Sequence, residues 1–445
     1  MRTFLAINIG KLINKISRLL GHEGSVTGGS IALRIDKNLF KNIKMPKYVL
    51  GITGSSGKSS TTQLVAHILK NNNLTVAYNK SGSNAINGIA SLIIDNTSNN
   101  LRFNKDVLLM ELDEKYMQFI FKDFNLTHLV ITNVTRDQPP RNTHPEFIVS
   151  EIKKAINPKT KLILNADDPF VKTFGLNHKG KVVYYSIEKN NYSKKSNLKN
   201  LDAAYCPICN KKLIYDFYHY GHLGNYHCPN KDFERGNANY KVTDVNLDKQ
   251  TIKINNNLVH IPSNFFYSVY FTTAAYALVS EIGVKEKDII YTLNENKLKT
   301  KRLNIYDFDN RKWQMLASKN ENNLSYKQSL DYITSSNEIK TIVLGFNNSS
   351  RRYTENDVSW IWDIDFEELN DKNIDKILVI GRFRYDMLTR LTYANISKDK
   401  IILVDDLDKL PDILKTKTKG TIYSMVCFDM EILLKELIKK EAQKW

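Results

Sequence analysis

The chain has 445 residues, 42% hydrophobic and 10% aromatic, with 64 Lys and Arg against 47 Asp and Glu and a net charge of +17. At about 100–200 residues per domain this is material for two to four domains, and the composition excludes a disordered or fibrous chain. The positive surplus favours anionic partners (nucleic acid, a membrane surface, phosphorylated substrates) without choosing among them.

In chain order, Leu5, Ile9, Leu12, Ile16, Leu19 and Leu20 recur at helical spacing, which predicts an amphipathic helix over residues 1–20. Lys11, Lys15 and Arg18 break the apolar run, so no signal peptide is expected here, and no stretch approaches the roughly 20 apolar residues of a spanning helix. The apolar stripe is expected to dock on its own domain, with membrane contact as the alternative. After a Gly/Ser-rich loop at 21–30, a strand is expected at 48–52 and a helix at 59–70, the opening of a doubly wound α/β domain. Runs at 107–111, 129–132 and 161–164 are short and branched, as strands buried on both faces are. Residues 201–240 break this pattern and read as an inserted module. The α/β signal returns with a helix near 271–281. Beyond 297–302 strands are expected at 341–345, 376–381 and 400–404 and helices at 383–394 and 430–441, a second α/β domain. The expected division is a lead-in at 1–45, a nucleotide-binding domain at 46–297 with its insertion at 201–240, and a C-terminal domain at 298–445.

Between the first strand and its helix lies Gly54-Ser55-Ser56-Gly57-Lys58-Ser59-Ser60. Glycines let backbone N–H groups turn inward around phosphates, Lys58 supplies positive charge, and the Ser59 hydroxyl is placed for magnesium at the positive end of the helix. Ile52 stands where the longer phosphate-loop pattern has its first glycine, so this is the short G-x-x-G-K-[ST] form. The reading is ATP with Mg2+. The strand at 107–111 runs into Glu111-Leu112-Asp113-Glu114, and a carboxylate at the carboxyl end of a parallel strand lies in the crevice where ligands bind, so Glu111 is the candidate second magnesium ligand.

Of four cysteines, Cys206, Cys209 and Cys228 cluster, and Cys427 stands apart as a core residue. An odd cluster is a poor disulfide framework and points to a reducing, cytoplasmic compartment. Cys206-Pro207-Ile208-Cys209 and Cys228-Pro229-Asn230-Lys231 resemble two metal knuckles, but Lys231 stands at the fourth cysteine position. Either His222 or His227 completes a zinc set or the module folds without metal.

Taken together these strings resemble the Mur ligases, in their MurT branch, along nearly the whole chain. The likeness rests on the short phosphate loop, on Glu111, on Thr132-Asn133-Val134-Thr135-Arg136-Asp137, on Asn165-Ala166-Asp167-Asp168-Pro169, on the inserted zinc-ribbon-like module and on Asp357-Val358-Ser359-Trp360. It implies a central ATPase domain and a Rossmann-like C-terminal domain. It also implies a reaction: ATP converts the D-glutamate α-carboxylate of the lipid II stem peptide to an acyl phosphate, and ammonia from a GatD-type class I glutamine amidotransferase subunit then gives D-isoglutamine. By the same likeness Asn165 and Asp167 lie near the nucleotide, Arg302 reaches the phosphates, and Asp357 supports the partner's active-site histidine, although Asp357 is also a plausible helix cap. The expected location is cytoplasmic or peripheral at the inner face of the membrane. Two asparagines usual in the family are replaced by Ser268 and Phe271. This leaves a divergent ligase acting on another carboxylate as the alternative. A nucleic-acid-binding module is a weaker third reading, and no nucleic acid is expected.

Overall fold

Branched strands that do not alternate need cover on both faces, and helices wound over a parallel sheet provide it. The computed structural model describes all residues except 25, 80–82, 138–143, 196–200, 299–302, 319–322, 348–356 and 443–445. The described chain forms two α/β units. The first comprises Met1–Val134, Pro145–Lys195 and Ala203–Leu298, and the second Thr135–His144, Ser196–Asp202 and Lys299–Trp445.

In the first unit the strands are β1 (Tyr48–Thr53), β2 (Val76–Tyr78), β3 (Val107–Glu111), β4 (His128–Ile131), β5 (Lys161–Asn165), β6 (Val182–Ile187), β7 (Ile214–Tyr220), β8 (Leu223–His227), β9 (Tyr240–Asn246), β10 (Thr251–Ile254) and β11 (Asn257–His260). Nine of them form one sheet in the order β2-β3-β1-β4-β5-β6-β9-β10-β11, parallel from β2 to β9 and antiparallel at β10 and β11. Every residue of β3 and β4 is buried, which explains their unbroken apolar sequences. The chain winds away from β1 in both directions, to β3 on one side and β4 on the other, so the carboxyl end of β1 is a topological switch point. β7 and β8 form their own antiparallel pair within the inserted module.

Four helices matter below: α1 (Arg2–Leu19), α2 (Thr27–Ile35), α3 (Lys58–Asn71) and α4 (Ile86–Asp95). α1 docks on its own unit as expected, but with the unexpected face. Thr3, Ala6, Ile7, Gly10 and Asn14 are buried, whereas the Leu/Ile stripe is exposed. Small residues allow the helix backbones to approach closely: Asn14 Oδ1 accepts the Gly28 N–H at 3.0 Å, and Asn14 Nδ2 donates to Asp95 at 3.0 Å.

The second unit has a six-stranded sheet in the order β12-β13-β17-β14-β15-β16, from β12 (Leu303–Phe308), β13 (Arg311–Ser318), β14 (Lys340–Gly345), β15 (Ile374–Ile380), β16 (Ile401–Leu403) and β17 (Thr421–Cys427). Only the β12–β13 hairpin is antiparallel. Cys427 is buried at the end of β17, a core residue as expected.

Two buried histidines of the first unit each contribute a loss of stability in acid. Burial holds His128 and His219 down at about 4, helped at His128 by the nearby Lys161 charge. Unfolded, each takes a proton near 6.5, so stability falls as pH drops from about 6.5 towards 4 and falls no further from this cause below 4. The expected contribution between pH 7 and 5 is a loss of about 1–2 kcal/mol per histidine, read as the difference between the pH dependence of the melting temperature of the native chain and that of His128→Gln.

Candidate active site

The phosphate loop begins where β1 ends. Gly54 has φ +125°, and a Cβ there would sit 2.3 Å from Thr132 Oγ1 and 2.7 Å from the Asn133 carbonyl, so only glycine fits. Gly57, with φ +82°, turns the chain into α3. Two residues leaving β4 pin the loop from below. Ser55 N–H donates to the Asn133 carbonyl at 2.8 Å and Ser56 N–H to Asn133 Oδ1 at 3.0 Å. In return Asn133 Nδ2 and Thr132 Oγ1 donate to the Ser56 carbonyl at 3.1 and 2.7 Å. The sequence shows the Thr132-Asn133 pair but not its task, which is to hold the loop open at the head of α3. Gly54→Ala is expected to store about 1–3 kcal/mol of strain in this loop and to weaken ATP binding in a calorimetric titration while the fold survives.

Lys58 bridges to the acidic run. Its Nζ lies 2.6 Å from Glu114 Oε1, 3.4 Å from the Ser55 carbonyl, and also bonds the Gly54 carbonyl. Glu114 is buried. Burial pushes its carboxyl up, Lys58 pulls it back down, and the neighbouring Asp113 pushes it up again. The loop's cation is thus balanced by Glu114, a residue the sequence reading passed over in favour of Glu111. Glu111 pairs with Ile52 across the β1–β3 register and so stands beside the loop. Asn79 fixes its backbone through two 2.8 Å bonds. Ser59 is half-buried in the first turn of α3. Ser59 thus stands at the start of the helix that follows β1 and Glu111 ends the strand paired with β1, and their oxygen donors are of the kind that suits magnesium.

Asn165 and Asp167 lie at and just beyond the end of β5, next to the Thr132 that pins the loop. Asn165 Nδ2 donates to the Thr132 carbonyl at 3.0 Å, and Asp167 N–H donates to Asn165 Oδ1 at 3.1 Å. The Asp167 carboxylate accepts from Ile187 N–H at 2.9 Å and Tyr270 O–H at 2.8 Å and pairs with Arg235 at 3.2 Å. Burial pushes it up to about 7 against the pull of Arg235. Arg235 is held in turn by Glu188 at 3.0 Å. Asp168 caps the short helix Pro169–Lys172 and accepts the Val134 N–H at 2.8 Å. Ser268 and Phe271 are buried in the helix Tyr267–Glu281, and the Ser268 hydroxyl is committed to the carbonyls of Ser263 and Phe265, both at 2.7 Å.

In the second unit Arg136 gathers carboxylates. It pairs with Asp363 at 2.7 Å and donates to Ser359 Oγ at 2.8 Å, while its N–H and the Thr135 hydroxyl bond Asp202. Burial raises the Asp363 carboxyl, opposed by Arg136 and reinforced by Asp202 and Asp357. Asp357 accepts the Ser359 N–H at 2.8 Å, an Asx turn leading into Ser359–Asp363. Arg302 lies outside the described residues.

The cysteine module resolves differently from the expected metal set. Cys206, Cys209, Cys228 and Asp232 bring their ligand atoms within 4.8 Å of one another. Neither His222 nor His227 joins them: His222 lies 3.3 Å from Asp168, and His227 3.6 Å from Asp216. Lys231, at φ +60°, turns the chain so that the next residue, Asp232, takes the fourth place. Ile208 and Asn230 N–H groups point at the Cys206 and Cys228 sulfurs at 3.4 Å, the arrangement of metal knuckles. Three sulfurs and a carboxylate fit a tetrahedral divalent ion such as zinc. The module's small core of Leu213, Tyr226 and Phe233 packs around these cysteines. Cys228→Ser is expected to abolish the metal content measured by atomic absorption and to loosen this module first in hydrogen exchange.

The profile of the Mur ligase middle domain matches residues 52–231, and that of the MurT ligase C-terminal domain matches residues 318–429. Both profiles are of Mur ligase domains. This chain is 28% identical to the Staphylococcus aureus (strain COL) protein named lipid II isoglutaminyl synthase (glutamine-hydrolyzing) subunit MurT, over 90% of each chain. It is 25% identical to the protein of that name from Streptococcus pneumoniae (strain ATCC BAA-255 / R6), over 98% of this chain and 97% of the relative. Among solved structures, a pseudomurein peptide ligase type C from Methanothermus fervidus shares the fold with a TM-score of 0.69 at 23% identity, covering 91% of this chain and 81% of that one. MurF from Acinetobacter baumannii does so with a TM-score of 0.63 at 17% identity, covering 92% and 80%.

Proposed function

We propose that this chain is a Mur ligase, a MurT-type synthetase that amidates the D-glutamate α-carboxylate of the lipid II stem peptide, with ammonia from a GatD-type glutaminase subunit. The observation that carries the reading is likeness to two MurT subunits along nine-tenths or more of both chains, in a chain whose phosphate loop is fully assembled.

A carboxylate is a poor electrophile, and phosphorylation gives it a good leaving group. A carboxylate oxygen attacks the γ-phosphorus of ATP and ADP departs. Ammonia then attacks the acyl carbon, loses a proton, and phosphate leaves with that same oxygen. Most of the catalysis is placement and charge neutralisation. The loop N–H groups and Lys58 bind the phosphates. For this, Lys58 exchanges Glu114 for the triphosphate, and Glu114, already pushed towards its neutral form by burial, takes up a proton rather than remaining as an unpaired buried charge. Ser59 and Glu111 would hold magnesium, which would supply further positive charge to the phosphates. Asn165 and Asp167 shape the floor, Arg302 is assigned to the phosphates, and Asp357 faces the partner subunit. With both carboxylate oxygens labelled, one 18O should appear in inorganic phosphate during turnover while the other stays in the amide, and loss of that first 18O to water instead would contradict the acyl phosphate.

A second reading keeps the chemistry and changes the acceptor. It is favoured by Ser268 and Phe271, whose side chains are committed to the fold, where the family resemblance implies asparagines. Under it the chain is a divergent Mur-type amide ligase for another carboxylate. Co-expression with a GatD-type glutaminase should give one peak in size-exclusion under the first reading and two under the second.

A further inference from the structure

α1 has two sides fit for burial, and the fold uses one. On the inner side a Cβ at Gly10 would come within 2.5 Å of Ile94 Cδ1 and 2.9 Å of the Gly28 carbonyl, so α1 is already at contact distance from α2 and α4. On the opposite side Leu5, Ile9, Leu12, Ile16, Leu19 and Leu20 are 40–78% exposed. At about 100° per residue these six fall in one arc of roughly 100°, in a row along a helix about 27 Å long. Single exposed aliphatics are ordinary, but an unbroken row marks a surface with a partner. No described helix is long and apolar enough to cross a membrane.

The charges around the row say which partner. α1 carries Arg2, Lys11, Lys15 and Arg18 and no carboxylate. Arg18 pairs with Asp95, Lys11 bonds the Thr97 carbonyl and Arg2 the Ile35 carbonyl, which ties their stems beside the row, and Lys15 is exposed at its edge. Beyond α1, Arg34, Lys37, Lys41, Lys44 and Lys47 are all exposed. Within residues 1–47 nine Lys and Arg face two carboxylates, Glu23 and Asp36, and Asp36 is occupied by the Thr3 hydroxyl at 2.6 Å. An aliphatic strip rimmed by cations and poor in acids complements an anionic bilayer surface, with the strip at the acyl boundary and the cations among the headgroups.

We propose that α1 lies in the surface of an anionic bilayer, seated by Leu5, Ile9, Leu12, Ile16, Leu19 and Leu20. This does not depend on the acceptor of the ligase reaction. The test uses the full chain in co-sedimentation with phosphatidylglycerol–phosphatidylcholine vesicles and with phosphatidylcholine alone. Binding is expected to the anionic vesicles and to weaken with salt. Leu12→Gln with Ile16→Gln should lower it on the order of a hundredfold, and Lys15→Gln about fivefold, with circular dichroism unchanged. Should the double variant fail to fold, Leu12→Trp keeps the strip apolar, and its emission should shift to the blue on the anionic vesicles. No binding by the native chain, no blue shift, or a double variant that binds as the native chain does would overturn the proposal. So would a lipid-free dimer that the double variant dissolves, which would give the strip to a second copy of this chain.

Discussion

Lys58→Ala should lose about 10²–10³-fold in kcat/KM for ATP-dependent amidation, because the substitution removes the positive charge that the loop brings to the phosphates. The structure adds a second consequence. Glu114 Oε1 lies 2.6 Å from Lys58 Nζ in a buried setting, so the variant also leaves a carboxylate without its cation. If that carboxylate stays charged the cost is about 3 kcal/mol of stability. A loss of activity in Lys58→Ala alone therefore mixes two causes. Lys58→Met combined with Glu114→Gln separates them: the melting temperature should recover while the activity does not. A double variant that regains turnover would remove Lys58 from the chemistry.

Asp167→Ala should be the most destabilising single change in the first unit. It strips the partners from Ile187 N–H, the Tyr270 hydroxyl and one arm of Arg235, all buried together. Breaking such a node costs about 3–5 kcal/mol, which in a unit of this size lowers the melting temperature by roughly 10 °C. Calorimetric ATP affinity, measured well below the transition, should change far less, because Asp167 acts by holding β6, the inserted module and the helix Tyr267–Glu281 under the loop. An unchanged melting temperature with lost ATP affinity would instead put this carboxylate on the nucleotide.

What the sequence reveals and what it hides divide along physical lines. β1, the loop and α3 are consecutive, so their motif carries its own context, and the expected helix at 59–70 is found as Lys58–Asn71. The Lys58–Glu114 pair joins residues 56 apart, and nothing local marks Glu114 over Glu111 as the partner. In α1 the Leu/Ile stripe looks like the docking face, but Ala6 and Gly10 bring backbones closer than leucine allows, and close packing decides. The fourth position of the metal set is hidden because it depends on the left-handed turn at Lys231. The β10–β11 and β12–β13 hairpins could have been found: Asn255-Asn256 and Asp309-Asn310 all have positive φ, the tight turns that such pairs favour. The family resemblance supplies the candidate chemistry, since scattered loop residues that read an acceptor leave no pattern in a single sequence.

The central claim is that this chain uses ATP to amidate a stem-peptide carboxylate. The direct measurement is mass spectrometry of lipid II incubated with the chain, a GatD-type glutaminase as the proposed partner, ATP, magnesium and glutamine. The account predicts the mass change of one hydroxyl exchanged for an amino group, located at the D-glutamate α-carboxyl by fragmentation and absent without ATP or with Lys58→Ala. An unmodified stem peptide with ATP intact, under conditions where the partner hydrolyses glutamine, would contradict it.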